Sequence, residues 1–561
     1  MISIVNRKFY WLWAILFLLV FIPNLYAFFY DVISLKSVLS LILGIAFCLF
    51  PALFFKSKIY FGIFLPFVLL APLEIGHIIV NKTSMTSIFM LILLNTNANE
   101  IISYLSSFKI MIVLAIIYWA LYIFLWIKIP NRYLLNGKKK IIGIWFYVVL
   151  LVGILALAIA SAIILSEKSN KIDVAYSIRI SFKTKLLQTY PYNIIIKTNR
   201  TLIEKREFES RLERIKDFKF NPVPREDDEY ETYVFVMGES ARYDNFGING
   251  YERNTTPFLD SLKKEDKLLT FSNVFASANL TKNVHPLMLT RATVLKHHTA
   301  NNEKSIISLF KETGFKTYVL SNQGENEVFL RQMATEADYS FLNNNDYKFD
   351  EKYDGLLLPH IDSVLNEKEK KKCLFLFTLG SHFKYNFRYP PPFEKFKPAG
   401  SKSHFTYELV EKNKDLFVNA YDNSILYTDY FIHEIIKKLE SQNGKTLLFY
   451  VSDHGQKIFD APGINVGHGG LQPTKQELHT PMFIWFSDSY VQTNDSVVMN
   501  LRNNIDKRIN STNVFYTFAN IAGIKYDLYQ KDKDVSAKTF VPDSVHWVLN
   551  PDLEVLRING W

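Results

Sequence analysis

The stretch TLLFYVSDHG, residues 446–455, joins an apolar run to Ser452, Asp453, His454 and Gly455. A short run of β-branched and aromatic residues that ends in polar side chains is typical of a buried strand. Four other runs have this form: YVFVM at 233–237, TYVL at 317–320, CLFLFTL at 373–379 and MFIWF at 482–486. Helical patterns lie between them at 303–313 and 421–442, each followed by a glycine. The alternation predicts a parallel sheet with helices on both faces over residues 229–561.

Polar side chains follow several of these predicted strands. Besides Asp453 and His454, Glu239 follows the first run, Gln323 the second and His382 the third. Because ligands bind outside the carboxyl ends of strands in such sheets, we expect these groups to converge despite their separation in sequence. Two carboxylates and an imidazole suit Zn²⁺ or Mn²⁺ at a hydrolytic or transfer site. With two cysteines in the chain, a cysteine zinc cluster and a disulfide framework are both excluded.

Two hydroxyl groups are candidate nucleophiles. Ser240 lies in GESAR, where Arg242 occupies the second glycine position of a nucleophile elbow, so we interpret Ser240 as structural. Thr281 precedes an apolar helical stretch, which predicts a helix N-cap. A hydroxyl there, next to a dication, would also be acidified, so cap and nucleophile are compatible roles. Val284 stands two residues before Pro286, where a formylglycine sulfatase needs Cys or Ser, which argues against that chemistry.

The first 165 residues predict a membrane domain. Five apolar runs, of which the third is interrupted by Glu74 and His77, are long enough to cross a bilayer: 10–29, 37–55, 59–80, 110–127 and 141–165. Lysines and arginines flank alternate connections, so the N-terminus is expected in the cytoplasm and everything after residue 166 on the opposite side. We interpret Glu74 and His77 as groups that reach the membrane–water interface near the outer end of their helix, with a role in substrate handling as the alternative. Residues 166–228 predict an amphipathic linker along the membrane surface.

Composition excludes other classes. Apolar residues make up 49 % of the chain, which excludes a disordered protein. The net charge is +10, from 64 Lys and Arg against 54 Asp and Glu, but the lysines are scattered and form no stripe with interleaved aromatic residues. Nucleic acid is therefore not expected as a partner.

Several motifs resemble those of the membrane phosphoethanolamine transferases of Gram-negative bacteria, whose catalytic domain is an α/β/α sandwich of the alkaline phosphatase and sulfatase type. They are GESARYDNFGINGYERNTTPFLDSL at 238–262, NLTKNVHPLMLT at 279–290, LGSHFKYNFRYPPPFEKF at 379–396, YDNSILYTDYF at 421–431, SDHGQ at 452–456 and VGHGG at 466–470. The resemblance covers nearly the whole chain. Having Cys373 as its only cysteine, the domain is more similar to the cysteine-poor branches than to the lipid A and colistin-resistance branch.

The resemblance also implies roles for individual residues. The zinc ligands would be Glu239, Thr281, Asp453 and His454, with Thr281 also the nucleophile, and His382 and His468 would contact substrate phosphate or a second zinc. Thr96 and Glu100 match part of the family's lipid-headgroup motif in the outer loop at 81–108, although Ile92 replaces a family asparagine there.

The implied reaction moves phosphoethanolamine from phosphatidylethanolamine to a cell-envelope glycan or lipopolysaccharide, through a phosphoethanolamine–threonine intermediate. The enzyme is expected to act as a monomer in the bacterial inner membrane, with its catalytic domain in the periplasm. A phosphoglycerol transferase of the lipoteichoic acid synthase type, a membrane-anchored phosphatase and a non-catalytic scaffold with the same fold remain alternatives.

Overall fold

The computed structural model describes residues 4–30, 41–42, 44–46, 48–81, 84–85, 109–135, 137–149, 189–224, 229–323, 328–343, 353–400, 413–460 and 466–558. The chain divides into two compact units, Met1–Ile203 and Glu204–Trp561.

The N-terminal unit is helical where it is described. Its helices are α1 (Ile4–Tyr30), α2 (Ser57–Asn81), α3 (Lys109–Lys128), a helix over residues 138–149, and the first half of α4 (Tyr192–Arg214). Two segments of the described residues, Arg7–Phe29 and Ser57–Ile79, are long and apolar enough to cross a membrane, and Ile112–Lys128 is a shorter apolar helix. Five spans therefore stay a prediction, because the runs at 37–55 and 141–165 extend beyond the described residues.

Proline residues help to join these helices. Proline has no N–H, so Pro23 and Pro72 leave the carbonyl groups four residues earlier without a donor in their own helices. Aromatic side chains of α3 donate to those carbonyls, Tyr118 to Leu19 O at 2.8 Å and Trp119 to Val68 O at 3.2 Å. These two freed carbonyl groups are thus satisfied from within the apolar bundle, as a lipid environment requires.

Glu74 and His77 lie inside this unit, with exposed fractions of 1 % and 8 %. The Glu74 carboxylate accepts hydrogen bonds from Asn193 Nδ2 at 2.7 Å and from the Met85 backbone N–H at 2.9 Å. The interpretation of these groups as side chains that reach an interface is therefore wrong. Sequence pattern could not show it, because both donors lie outside the helix that carries Glu74.

The C-terminal unit contains a seven-stranded sheet in the order β2-β10-β7-β1-β6-β4-β5. Its strands are β1 (Glu231–Gly238), β2 (Leu268–Phe271), β4 (Lys316–Ser321), β5 (Tyr339–Leu342), β6 (Lys371–Phe377), β7 (Lys445–Ser452) and β10 (Met482–Phe486). Short two-stranded pairs use β3 (Val274–Phe275), β8 (Lys457–Ile458), β9 (Val466–Gly467), β11 (Ile509–Asn510), β12 (His546–Leu549) and β13 (Val555–Ile558). All five strands predicted from the sequence are present.

One strand departs from the predicted parallel sheet. β10 runs antiparallel to β7 and to β2. The chain leaves β7 at Ser452 and begins β10 at the same edge, where the Ser452 N–H donates to Pro481 O. A parallel strand needs a long crossover that carries the chain to the opposite edge, and no such crossover lies between β7 and β10 in the described residues.

Helices cover both faces of the sheet. They are α5 (Pro257–Lys264), α6 (Thr281–Leu289), α7 (Ile306–Glu312), α8 (Val328–Ala334), α9 (Leu358–Leu365), α10 (Lys414–Glu440), α11 (Lys475–Leu478), α12 (Asp488–Thr493), α13 (Asp495–Arg502) and α14 (Val514–Ile521). The central strand β1 is buried throughout, with Phe235 packed in the core on one face and Val234 and Val236 on the other. A strand buried on both faces reads as a continuous apolar run, as this one does.

Candidate metal centre

Three acidic and imidazole groups meet at the carboxyl ends of the two central strands. Glu239 follows β1 and Asp453 follows β7, and these strands are neighbours with Gly238 paired to Ser452. One possible ligand atom each from Glu239, Asp453 and His454 lies within 4.8 Å of the other two, and all three residues are buried. Strand pairing thus brings together groups that are 214 residues apart in sequence.

Thr281 lies at the same place. Its Oγ1 is 3.1 Å from Glu239 Oε2, to which it donates, and 3.1 Å from His454 Nε2. Thr281 is the first residue of α6, and the extended Leu280 occupies the N-cap position. The predicted N-cap role is therefore wrong by one residue, and the hydroxyl turns toward the carboxylate and imidazole, leaving the first turn of its helix uncapped by a side chain.

The donor set fits a dication. A carbonyl oxygen can only accept, so His454 Nδ1, 2.9 Å from Gly455 O, carries the proton and Nε2 presents a lone pair. Asp453 Oδ2 lies 3.3 Å from that Nε2 and has no hydrogen-bond partner among the described residues. Burial, and then the nearby Asp453 charge, hold the pKa of Glu239 well above its ordinary value. Two buried carboxylates and an imidazole lone pair this close together form a set of ligands that suits a zinc ion.

Neighbouring groups fix the carboxylates. Ser240 Oγ donates to Glu239 Oε1 at 2.7 Å, and Gln323 Nε2 donates to Glu239 Oε2 at 3.2 Å. The backbone N–H groups of Ser240 and His454 both donate to Asp453 Oδ1, at 3.0 and 2.6 Å. The Ser240 hydroxyl is thus engaged with a carboxylate, as its structural interpretation expects.

The other two predicted histidines are close to this centre. The rings of His454 and His468 lie 4.1 Å apart between centroids, and those of His382 and His468 lie 6.4 Å apart. His468 Nδ1 is held 2.6 Å from Gln456 Oε1. Burial, with a smaller contribution from Arg388, lowers the pKa of His382 to about 4, and burial also lowers the pKa of His468. The predicted headgroup residues Thr96 and Glu100 lie outside the described residues.

Some residues that hold the site in place do not follow a strand, so the pattern of polar residues at strand ends did not indicate them. Tyr421 of α10 donates to Ser240 O at 2.7 Å, and one turn later Ser424 donates to the Ser381 hydroxyl at 2.8 Å. Asn279 Nδ2, two residues before Thr281, donates to the buried Glu477 at 2.9 Å. Tyr421 and Ser424 belong to the YDNSILYTDYF motif. The motif therefore marked these residues in the sequence, but it did not indicate that they bind the backbone and the hydroxyl next to the metal centre.

Comparison with known proteins agrees with this geometry. The Sulfatase family model matches residues 231–524, and the chain belongs to this family. Phosphoethanolamine transferase EptC of Escherichia coli (strain K12) is 29 % identical over 480 residues, which cover 82 % of this chain and 79 % of that protein. The resemblance to phosphoethanolamine transferases is therefore confirmed.

Two solved structures extend the comparison. The C-terminal periplasmic domain of EcEptC from Escherichia coli, in complex with Zn, is 29 % identical, covers 59 % of this chain and 92 % of its own, and superposes with a TM-score of 0.53. The integral membrane lipooligosaccharide phosphoethanolamine transferase A from Neisseria meningitidis is 19 % identical, with a TM-score of 0.67 over 93 % of this chain and 97 % of its own. The second likeness shows a shared fold that includes the membrane unit.

Proposed function

We propose that this chain transfers phosphoethanolamine from phosphatidylethanolamine to a glycan or lipopolysaccharide of the cell envelope, through a covalent intermediate on Thr281. The observation that carries the proposal is the position of Thr281 Oγ1, 3.1 Å from both Glu239 Oε2 and His454 Nε2. EptC of Escherichia coli and CptA of Salmonella typhimurium each match 82 % of this chain and are named phosphoethanolamine transferases, which supports the choice of donor group.

Zinc is the proposed cofactor, held by Glu239, Asp453, His454 and the Thr281 oxygen. The lone-pair set of the site and the zinc complex of the EcEptC domain support this choice. When bound, the ion would supply positive charge that acidifies a neighbouring hydroxyl and stabilises charge on a phosphoryl group.

The residues of the chain provide the first displacement. Thr281 already donates its hydroxyl hydrogen to Glu239, so the carboxylate is placed to take the proton as Oγ1 attacks phosphorus. The bond between Oγ1 and phosphorus forms, the bond from phosphorus to the diacylglycerol oxygen breaks, and that oxygen takes up a proton from His382 or His468. Both the donor and the diacylglycerol product are lipids, which explains why such an enzyme carries a membrane unit.

A second displacement restores the enzyme with a free Thr281 hydroxyl. An acceptor hydroxyl attacks phosphorus and gives its proton to His382 or His468, while the Thr281 oxygen leaves and is reprotonated. Two in-line displacements give net retention at phosphorus. The complete proposal places five spans in the inner membrane, the catalytic unit in the periplasm, Thr96 and Glu100 at the ethanolamine headgroup, and a monomeric enzyme.

The test is intact mass spectrometry of the full-length protein after incubation with phosphatidylethanolamine, followed by peptide mapping. We expect a phosphoethanolamine adduct on Thr281, retained by Thr281→Ser and abolished by Thr281→Ala. An adduct that persists in Thr281→Ala would refute the nucleophile. An adduct formed only from phosphatidylglycerol would refute the donor and favour a phosphoglycerol transferase.

A further inference from the structure

Asp354 lies in the turn before α9 and is 4 % exposed. It does not follow a strand of the sheet and is not one of the metal-centre residues, so its burial needs another explanation. Its carboxylate faces the end of β6. Oδ1 accepts the Leu379 N–H at 2.8 Å, and Oδ2 accepts the Gly380 N–H at 2.9 Å. Asn322 Nδ2 also donates to Oδ1 at 2.9 Å. One buried side chain therefore binds two successive backbone N–H groups.

Those two N–H groups belong to the turn that ends in His382. The His382 N–H donates to Leu379 O at 3.0 Å, which closes the turn over four residues. Gly380, inside it, has φ +44°, a left-handed conformation in which glycine avoids the penalty of a side chain. Because both N–H groups point at Asp354, its carboxylate selects the conformation that sets the position of the His382 side chain.

The same turn packs against the metal-centre backbone. The Ser381 N–H donates to Glu239 O at 2.9 Å. A Cβ on Gly380 would lie 2.7 Å from that Glu239 oxygen, so the approach leaves no room for a side chain. A displacement of this turn would therefore move His382, the residue at its end.

We propose that Asp354 is a positioning residue for phosphoryl transfer, which holds the Leu379–Gly380–Ser381–His382 turn so that His382 reaches the transferred group. The inference rests on the proposed function, because that function supplies the phosphoryl group on which His382 acts. Asp354 contacts no substrate and acts through the turn.

The substitution Asp354→Asn tests this with little change in volume. The amide oxygen can replace one carboxylate oxygen, but the amide NH₂ then opposes a backbone N–H of the turn. Asp422→Asn is the matched control. Asp422 is also buried, and its carboxylate accepts bonds from Asn245, Tyr251 and Arg253, none of which belongs to the turn.

The readout is a double-mutant cycle with His382→Ala on the full-length protein. The quantity measured is the single-turnover rate of diacylglycerol release from phosphatidylethanolamine that carries a fluorescent acyl chain. We expect Asp354→Asn to slow release at least tenfold with its zinc content unchanged, and Asp422→Asn to remain within about threefold of wild type. In the His382→Ala background, Asp354→Asn should cost less than a further twofold.

Independent, multiplicative effects of the two substitutions would overturn the proposal, and so would an equal loss in Asp422→Asn. Should Asp354→Asn fail to fold, Asp354→Glu keeps the charge and displaces it by one methylene, and the same cycle applies. A wild-type protein that releases no diacylglycerol would refute the proposed function instead. The cycle would then be read on hydrolysis of bis-p-nitrophenyl phosphate, a phosphodiester that requires no lipid.

Discussion

Replacing Glu239 by glutamine should have opposite effects on the metal-free and zinc-bound protein. In the absence of a cation, the buried carboxylates of Glu239 and Asp453 oppose each other across the site. Glutamine removes one charge and keeps the local bonds, because its amide oxygen can accept from Thr281 and Gln323 while Ser240 Oγ accepts from the amide NH₂. We expect Glu239→Gln to stabilise the metal-free protein and to weaken zinc binding.

The distance between the ligand atoms sets the magnitude. Two unit charges within 4.8 Å repel by about 3.5 kcal/mol at an effective dielectric constant near 20. Alternatively, Glu239 can take up a proton, which at pH 7 costs about 3.4 kcal/mol for a group with an ordinary pKa of 4.5. Glutamine avoids both the repulsion and the proton uptake, so the free energy gained is similar in either case. At roughly 2 °C per kcal/mol for a domain of this size, the melting temperature of the metal-free unit should rise by roughly 5–7 °C.

The assay is thermal melting of the purified full-length protein in chelator and in zinc. The transition that moves between the two conditions belongs to the unit that holds the metal. Glu239→Gln should melt above wild type in chelator and below it in zinc. Glu336→Gln is the matched control, because Glu336 accepts from Arg211 and Ser305 away from the site, and this variant should melt lower in both conditions. A Glu239→Gln protein that melts below wild type in chelator would refute the electrostatic reasoning.

Three further predictions concern the C-terminal unit. Arg211→Met should lower the free energy of unfolding of this unit by about 3–5 kcal/mol, measured by denaturant unfolding. The fully buried guanidinium pairs with Glu336, and removing it leaves that carboxylate uncompensated. A loss under about 1 kcal/mol would contradict this. Gly380→Ala should reduce bound zinc, measured by metal analysis, since its Cβ would press on the Glu239 backbone, and full zinc occupancy would show that the turn can yield. The Asp429 carboxylate accepts hydrogen bonds from N–H groups of the first turn of α5. Burial raises the pKa of Asp429 to about 7, so the native state binds a proton more tightly than the unfolded chain. Stability should therefore fall as pH rises from about 4 to 7, by up to about 4 kcal/mol, and Asp429→Asn should flatten this dependence in melts across that range.

The sequence was sufficient for five of the seven strands of the main sheet and for the groups at their carboxyl ends, whereas the short edge strands β2 and β5 were missed. Each predicted strand is a dense apolar run, and Glu239 and Asp453 directly follow two of them, so local pattern and sheet geometry together indicate the site. The antiparallel direction of β10 was not predictable, because it depends on how the segment between β7 and β10 folds and not on the composition of the strand.

Residues that act at a distance were also beyond sequence pattern. Asp354 precedes a helix and belongs to no apolar run, yet it binds a turn that follows a different strand. Glu74 sits in an apolar helix, where a charge is ordinarily expected near an interface, but its donors are Met85 and Asn193, both outside that helix. Such partners become visible only when the tertiary structure brings them together.

The central place of β1 in the sheet has a consequence for biogenesis. Its neighbours β6 and β7 begin 140 and 214 residues after it, so β1 emerges long before either partner exists. At 5–20 residues per second, synthesis of that interval takes roughly 10–40 s. A strand with the apolar run YVFVM must be shielded from aggregation for that time, which makes the nascent chain a natural client of chaperones. The proposed zinc site draws Glu239 from the end of β1 and Asp453 from the end of β7, so it is complete only after this long-range pairing.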